Sequence, residues 1–121
     1  MSRDIKFRAW SGDSNSFMRS GHCIEFDGSV HAYKQGCVIE NKNLILNQFT
    51  GLKDKNGVEI YEGDIINGKT NLKGREIEVF GIVNFSEGMF GLDNLIEGDG
   101  YSLNRVFVEV IGNIYEHPEL L

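Results

Sequence analysis

The sequence predicts a mainly β protein with few or no long helices, and three observations carry that reading. Apolar and polar residues alternate in several short stretches, most clearly over residues 76–85, where Ile77, Val79, Gly81 and Val83 share one parity. The chain has 15 glycines but a single proline, and the glycines are scattered, as tight turns between paired strands require. No stretch keeps an i, i+3, i+4, i+7 apolar stripe over three turns. Many short strands at regular spacing point to a small barrel or a sandwich.

Ile5, Phe7 and Ala9 alternate with Lys6, Arg8 and Trp10, which predicts a first strand with an apolar face. Residues 11–16 (SGDSNS) form a turn cluster, and Phe17-Met18 starts the returning strand. Cys23 to Phe26 leads into Asp27-Gly28, a hairpin signal, with Val30, Ala32 and Tyr33 pairing back. Cys37-Val38-Ile39 and Leu44-Ile45-Leu46 are further short apolar runs. Asn56-Gly57 predicts a type I′ turn, since both residue types tolerate positive φ. Leu52-Lys53-Asp54-Lys55 before it lacks alternation and reads as an exposed loop.

Glu62-Gly63-Asp64 turns the chain into Ile65-Ile66, with Asp64 placed to cap the turn by accepting a backbone N–H. Residues 67–75 (NGKTNLKGR) are polar and locally basic and read as a mobile loop. In the strand that follows, Gly81 marks a bulge or sharp bend. Ser86-Glu87-Gly88 turns into Met89-Phe90-Gly91-Leu92, and residues 93–100 read as a loop or a single helical turn. Val106, Val108 and Val110 alternate with Phe107, Glu109 and Ile111; Gly112 interrupts, and Ile114-Tyr115 continues. Pro118 opens a terminal helical turn. A division falls near Asn47, between an irregular β-meander (1–47) and a compact barrel-like part (48–121) of one domain, 1–121.

The length of 121 residues suits one domain with its own core. With 40% hydrophobic and 25% charged residues, disorder is not expected. A net charge of −6 argues against sequence-independent binding to phosphate backbones and is ordinary for solubility. No apolar leader follows the charged N-terminal segment, and no apolar run approaches the ~18 residues of a membrane helix. The expected location is the cytoplasm of a bacterial host cell, with no membrane partner and with Cys23 and Cys37 as reduced thiols.

His22-Cys23, His31 and Cys37 invite comparison with a four-ligand zinc site, but His22 and Cys23 are adjacent and point to opposite faces of a strand. Buried small hydrophobes are the simpler account of the cysteines. A nucleophilic Cys23–His31 pair needs adjacency and an orienting third group, neither readable from sequence. Glu62 with Asp64 and Glu97 with Asp99 read as turn caps and solvated charges rather than acid–base pairs. Residues 51–57 lack the ending of a phosphate loop. No catalytic residue, metal or cofactor is therefore expected.

Two surfaces remain. Lys53 and Lys55 in one loop, with Lys69, Lys73 and Arg75 in another, form a basic edge if barrel closure brings the loops together, and Trp10, Tyr61 and Phe90 offer stacking faces. Solvated lysines and core aromatics are the bland alternative. Trp10, Phe80, Phe90, Phe107 and Tyr115 are candidate interface residues, because apolar residues on both parities of a strand require cover on both faces. That cover comes from the N-terminal meander or from another subunit, and a homo-oligomer is expected.

The blocks IKFRAW (5–10), TGLKDKNGVEIYEGDII (50–66) and EVIGNIYEHPELL (109–121) together resemble the YopX family of phage and prophage proteins. They stand in the expected order and bracket nearly the whole chain; residues 17–43 carry no matching signature. The resemblance implies a mainly β protein of phage or prophage origin, an SH3-like small barrel over residues 57–115 and self-association, and it transfers no catalytic residues. The expected function is that of a non-enzymatic accessory protein that binds itself, a phage protein or a host protein. The alternative is a nucleic-acid-binding module of phage replication or regulation.

Overall fold

Twelve strands and one 3-10 turn make up the regular structure of the computed structural model, which describes residues 4–18, 22–34, 37–40, 44–72, 74–94, 100–102 and 107–121. The strands are β1 (Phe7–Ser11), β2 (Ser16–Phe17), β3 (His22–Ile24), β4 (Val30–Lys34), β5 (Cys37–Glu40), β6 (Leu44–Lys53), β7 (Glu59–Tyr61), β8 (Asp64–Leu72), β9 (Arg75–Ser86), β10 (Met89–Asn94), β11 (Gly100–Ser102) and β12 (Phe107–Asn113). Among the described residues there is no α-helix, so the chain is mainly β. The contacts divide into two compact units, residues 7–47 and residues 1–6 with 48–121.

In the unit of residues 7–47, β1 lies between β2 and β6, and β3-β4-β5 form an antiparallel sheet. Ala9, Val30 and Leu44 are buried, with Met18 and Leu46 packed on them. Of the apolar face expected of the first strand only Ala9 is buried. Ile5 and Phe7 are 59% and 41% exposed, whereas Trp10, of the other parity, is 8% exposed and meets Phe17 edge-on at 5.1 Å. The ladder pairs Trp10 directly with Phe17, and that aromatic pair decides what is covered. Arg8 lies 4.6 Å over the Phe17 ring. Asp27-Gly28 turns β3 into β4 as expected, with Gly28 at φ 90°. The Ser29 hydroxyl and backbone N–H both donate to Asp27 Oδ1, at 2.7 and 2.9 Å, and hold the Asp27 carboxyl below its usual range.

In the other unit, five antiparallel strands run in the order β11-β10-β9-β8-β12 and curl into a half-barrel. Ile60, Ile66, Val79, Val83, Leu92 and Val108 form its core. Val79 and Val83 come from the alternating stretch of β9, and the ladder sets Leu92 beside Val83 and Ile66 beside Gly81. Consecutive residues Ile65 and Ile66 are both fully buried, so β8 is covered on both faces at that level. The hydroxyl of Thr50 donates to Ile60 O at 2.8 Å and ties β6 to β7.

Four local expectations need correction. Of the expected loop 67–75, residues 67–72 are the second half of β8, paired in unbroken register with β9 down to Leu72 opposite Arg75, and Lys73 lies outside the described residues. The segment is polar on both parities, so side-chain alternation gives no sign of a ladder made by the backbone. Residues 52–53 likewise close β6 rather than opening a loop. Register is continuous through Gly81, and the irregularity lies instead between Val110 and Gly112. At Asn56-Gly57 only Gly57 has positive φ, 83°, and its N–H donates to Asp54 O at 3.0 Å, so the turn is not type I′.

The I′ pattern sits at Glu87 (φ 54°) and Gly88 (φ 80°), between Ser86 and Met89. Glutamate is a poor occupant of left-handed backbone, which asparagine visits readily. Glu87→Asn is expected to raise unfolding stability by about 0.5–1 kcal/mol; a guanidinium midpoint that fails to rise counts against this turn. The caps behave as expected. Asp64 Oδ2 accepts the Tyr61 N–H at 2.8 Å, and Pro118–Leu120 is a 3-10 turn with proline at its start.

Candidate functional site

The β8–β9–β12 face carries a concavity of about 570 Å³, lined by Lys55, Asn67, Lys69, Glu78, Phe80 and Glu109 together with Gly68, Val79 and Val108. Its side chains follow from register. Asn67 pairs with Phe80 on one side and Glu109 on the other, and Lys69 pairs with Glu78. Lys55 arrives from the turn after β6, whose backbone N–H donates to Val108 O at 3.2 Å.

Two members of the expected basic edge, Lys55 and Lys69, therefore do meet at one cavity. Each faces a carboxylate in an exposed ion pair. Lys55 Nζ lies 3.5 Å from Glu109 Oε2, and Lys69 Nζ lies 3.1 Å from Glu76 Oε1. The hydrogen bond and charge of Glu76 raise the Lys69 pKa above the ordinary lysine value. Glu78 stands directly across the ladder from Lys69 as well. Three carboxylates thus surround two ammonium groups, the reverse of a phosphate-binding groove. Lys53 and Arg75 are exposed and do not line the cavity. Lys73 lies outside the described residues.

The candidate interface residues are dispersed. Trp10 is buried against Phe17 in the unit of residues 7–47. Phe80 is half-buried in the cavity wall, and Tyr115 is half-buried in the turn after β12, its N–H donating to Asn113 Oδ1 at 3.1 Å. The Phe107 side chain lies outside the described residues. Phe90 is half-buried and packs edge-on against Phe85 at 5.0 Å. Phe85 is 54% and Met89 50% exposed on the same hairpin. Neither was among the sequence candidates, though both flank the Glu87-Gly88 turn. Phe85 shares the parity of Val79 and Val83, so the apolar row of β9 continues past the core and emerges at the hairpin tip.

Of the two carboxylates read as turn caps, Asp64 caps its turn, whereas Glu62 Oε1 reaches out of the turn and accepts the Gln48 N–H of β6 at 2.8 Å. Glu97 and Asp99 lie outside the described residues. Among the described residues no three His, Cys, Asp or Glu side chains gather as metal ligands. Cys23 is a free, half-exposed thiol. Cys23 and Cys37 stand on β3 and β5 with β4 between them, at least two strand spacings or about 9.5 Å apart and further staggered along the strands, too far for a disulfide.

The carboxylate that sequence reading missed is Asp54, buried at 7% exposure. Its Oδ1 accepts the N–H groups of Asn56 and Val58 at 2.8 and 2.9 Å, and its Oδ2 accepts that of Val110 at 3.0 Å. Burial pushes its carboxyl upward, but the bonds from Val110, Val58 and Asn56 outweigh burial and hold it below the usual range. It pins the 54–57 turn to the outer edge of β12.

With this geometry in view, the family model described as YopX protein matches residues 6–121. The chain belongs to the YopX family. Protein EF1440 from Enterococcus faecalis is similar along its whole length, with 29% identity, TM-score 0.64 and 99% of each chain covered. The structure of yopX from Bacillus subtilis is similar in fold, with 24% identity, TM-score 0.60, and 95% of this chain and 96% of that one covered. No curated protein matches it. The YopX match covers the three sequence blocks that suggested it, apart from Ile5, and also residues 17–43, which carry no signature.

Proposed function

We propose that the protein is a non-enzymatic phage or prophage accessory module, working in the host cytoplasm by binding protein, in the first instance a second copy of itself. The β9–β10 tip carries this reading: Phe85 and Phe90 stand opposite each other on one hairpin and meet edge-on, Phe85 being 54% exposed, and Met89, 50% exposed, lies on the hairpin's other face. Single exposed apolar residues are normal on any surface. An exposed aromatic pair backed by an exposed methionine beside one turn has the composition of an interface core. The acid-rich cavity weighs in the same direction, since its lysines are already paired with carboxylates.

Sedimentation equilibrium over a wide concentration range tests it. The wild-type chain is expected to associate, and the double variant Phe85→Ser, Met89→Ser to associate at least tenfold more weakly, about 1.4 kcal/mol. A monomer at every concentration removes self-assembly. Capture from infected host cells then separates the remaining alternatives. Retention that requires nucleic acid and falls steeply with salt would establish the nucleic-acid-binding alternative instead.

A further inference from the structure

We propose that the cavity on the β8–β9–β12 face is an arginine socket: it takes the guanidinium of an arginine side chain, presented by a partner peptide, against the Glu78 carboxylate and the Phe80 ring. Glu78 and Phe80 are two residues apart on β9 and so share a face, about 6.5 Å from each other along the strand. The ladder sets Lys69 opposite Glu78 and Asn67 opposite Phe80, and all four side chains line the cavity.

Charge decides the sign of the ligand. Lys55 faces Glu109 at 3.5 Å, and the Lys69 ammonium turns to Glu76 at 3.1 Å rather than to Glu78 across the ladder. Glu78 is left over: among the described residues it makes neither an ion pair nor a hydrogen bond. A cation is the ligand that balances the extra carboxylate. Phe80 is half-buried, and among the described residues its ring meets no other ring and no cation. The chain itself supplies the precedent for the pair. Lys6 Nζ lies 2.6 Å from Glu59 Oε2 and 5.4 Å from the centroid of the Phe49 ring, so one carboxylate and one phenyl ring hold one cation. At Glu78 and Phe80 the same two groups stand side by side without such an occupant.

Guanidinium fits better than ammonium. It is planar, stacks on an aromatic face, forks onto a carboxylate and gives up its water more readily. The Asn67 side-chain oxygen offers an acceptor for the N–H groups the carboxylate leaves over. Lys55, Asn67, Lys69 and Glu78 are all exposed, so the cavity is an open dish. A free metabolite would keep much of its surface in water there, whereas an arginine projecting from a peptide brings backbone and neighbouring residues to cover the rim. Acidic neighbours of that arginine would meet Lys55 and Lys69, whose exposed ion pairs exchange at little cost. The socket uses none of the residues of the β9–β10 tip, so it stands whether or not the chain self-associates.

The test is an amide chemical-shift titration of the full wild-type chain with a tripeptide, alanine-arginine-alanine, blocked at both ends. Saturating shifts are expected at Asn67, Gly68, Glu78 and Phe80, with a Kd of about 1 mM. The same peptide with neutral citrulline in place of arginine should leave them unmoved, and the lysine peptide should bind about threefold more weakly. Glu78→Gln should weaken the arginine peptide about tenfold and Phe80→Leu about threefold, while Glu119→Gln, at an exposed carboxylate on the C-terminal turn, should leave it unchanged. Absent or unsaturating shifts, shifts spread over the acidic surface, equal binding of the citrulline peptide, or equal losses in Glu119→Gln and Glu78→Gln would each overturn the socket. Lysine binding as tightly as arginine would overturn the guanidinium preference, and free arginine binding as tightly as the blocked peptide would overturn the peptide as its source.

Discussion

Replacing Asp54 with alanine is expected to cost about 3 kcal/mol, a large share of the 5–15 kcal/mol typical of one domain. The figure follows from what the carboxylate does. Two of its three N–H partners, Asn56 and Val58, lie in its own turn, and the third, Val110, belongs to β12 on the other side of a long stretch of chain. Bonds to a charged acceptor are worth more than neutral ones, and removing the acceptor orphans donors at a buried position. Water recovers part of the loss at the turn, which is why the sum is held well below three full bonds. Asp54→Asn should cost less. Its carbonyl oxygen still accepts the two turn donors, but its amide then faces the Val110 N–H, donor against donor.

The same bonds set a pH dependence. The folded-state pKa of Asp54 lies below its ordinary value. Its contribution is therefore complete above the unfolded pKa, about 3.9, and is lost as pH falls through the lower folded value. Guanidinium unfolding of wild type and Asp54→Asn should show a gap that is constant at neutral pH and closes in acid. A gap that ignores pH would show that the carboxylate's charge is not what pins the turn. There is a consequence for association as well. β12 ends the five-strand sheet, and the 54–57 turn occupies its outer backbone at Val108 and Val110. Releasing that turn leaves backbone groups of an edge strand unpaired, so Asp54→Ala should aggregate faster on unfolding stress than its lost stability alone explains.

Parity was legible in the sequence; register was not. The alternation of Ile77, Val79 and Val83 gives the core face of β9, and Asp27-Gly28, Asp64 and Pro118 mark their turns, because each of these is a local relation between neighbouring residues. The polar half of β8 is invisible to the same reading, since its strand form comes from pairing with β9 rather than from any apolar face. Asp54 looks like loop polarity until β12 arrives to donate to it from 56 positions away. The apolar hairpin tip was half seen. Phe90 was picked out as a large aromatic, but Phe85 reads as core because its parity is that of the core.

Gly81→Ala is expected to destabilise by about 3 kcal/mol or more, although backbone reasoning alone predicts the opposite. Gly81 sits in regular strand conformation and not in the left-handed region, so alanine would ordinarily stabilise there by about 0.4–1 kcal/mol through the unfolded chain. What forbids it is the neighbouring strand. A Cβ at Gly81 would collide with the backbone carbonyl of Asp93 in β10 and crowd the side chain of Leu92 at 2.9 Å. A side chain can turn away, but a strand carbonyl moves only if its ladder moves, and this one borders the row formed by Val83, Leu92 and Ile66. Gly112 supplies the contrast. A Cβ there would meet the His117 ring at 2.8 Å and the His117 Cβ at 3.0 Å; the ring can rotate aside at the loss of its bond from the Asn113 N–H, and the contact with Cβ is relieved by a small shift of the exposed C-terminal turn rather than of a ladder. Thermal unfolding should therefore show Gly81→Ala falling by roughly 10 °C or more and Gly112→Ala by much less. Equal stability of Gly81→Ala and wild type would mean that β9 and β10 have room between them, and that this glycine serves flexibility rather than close approach.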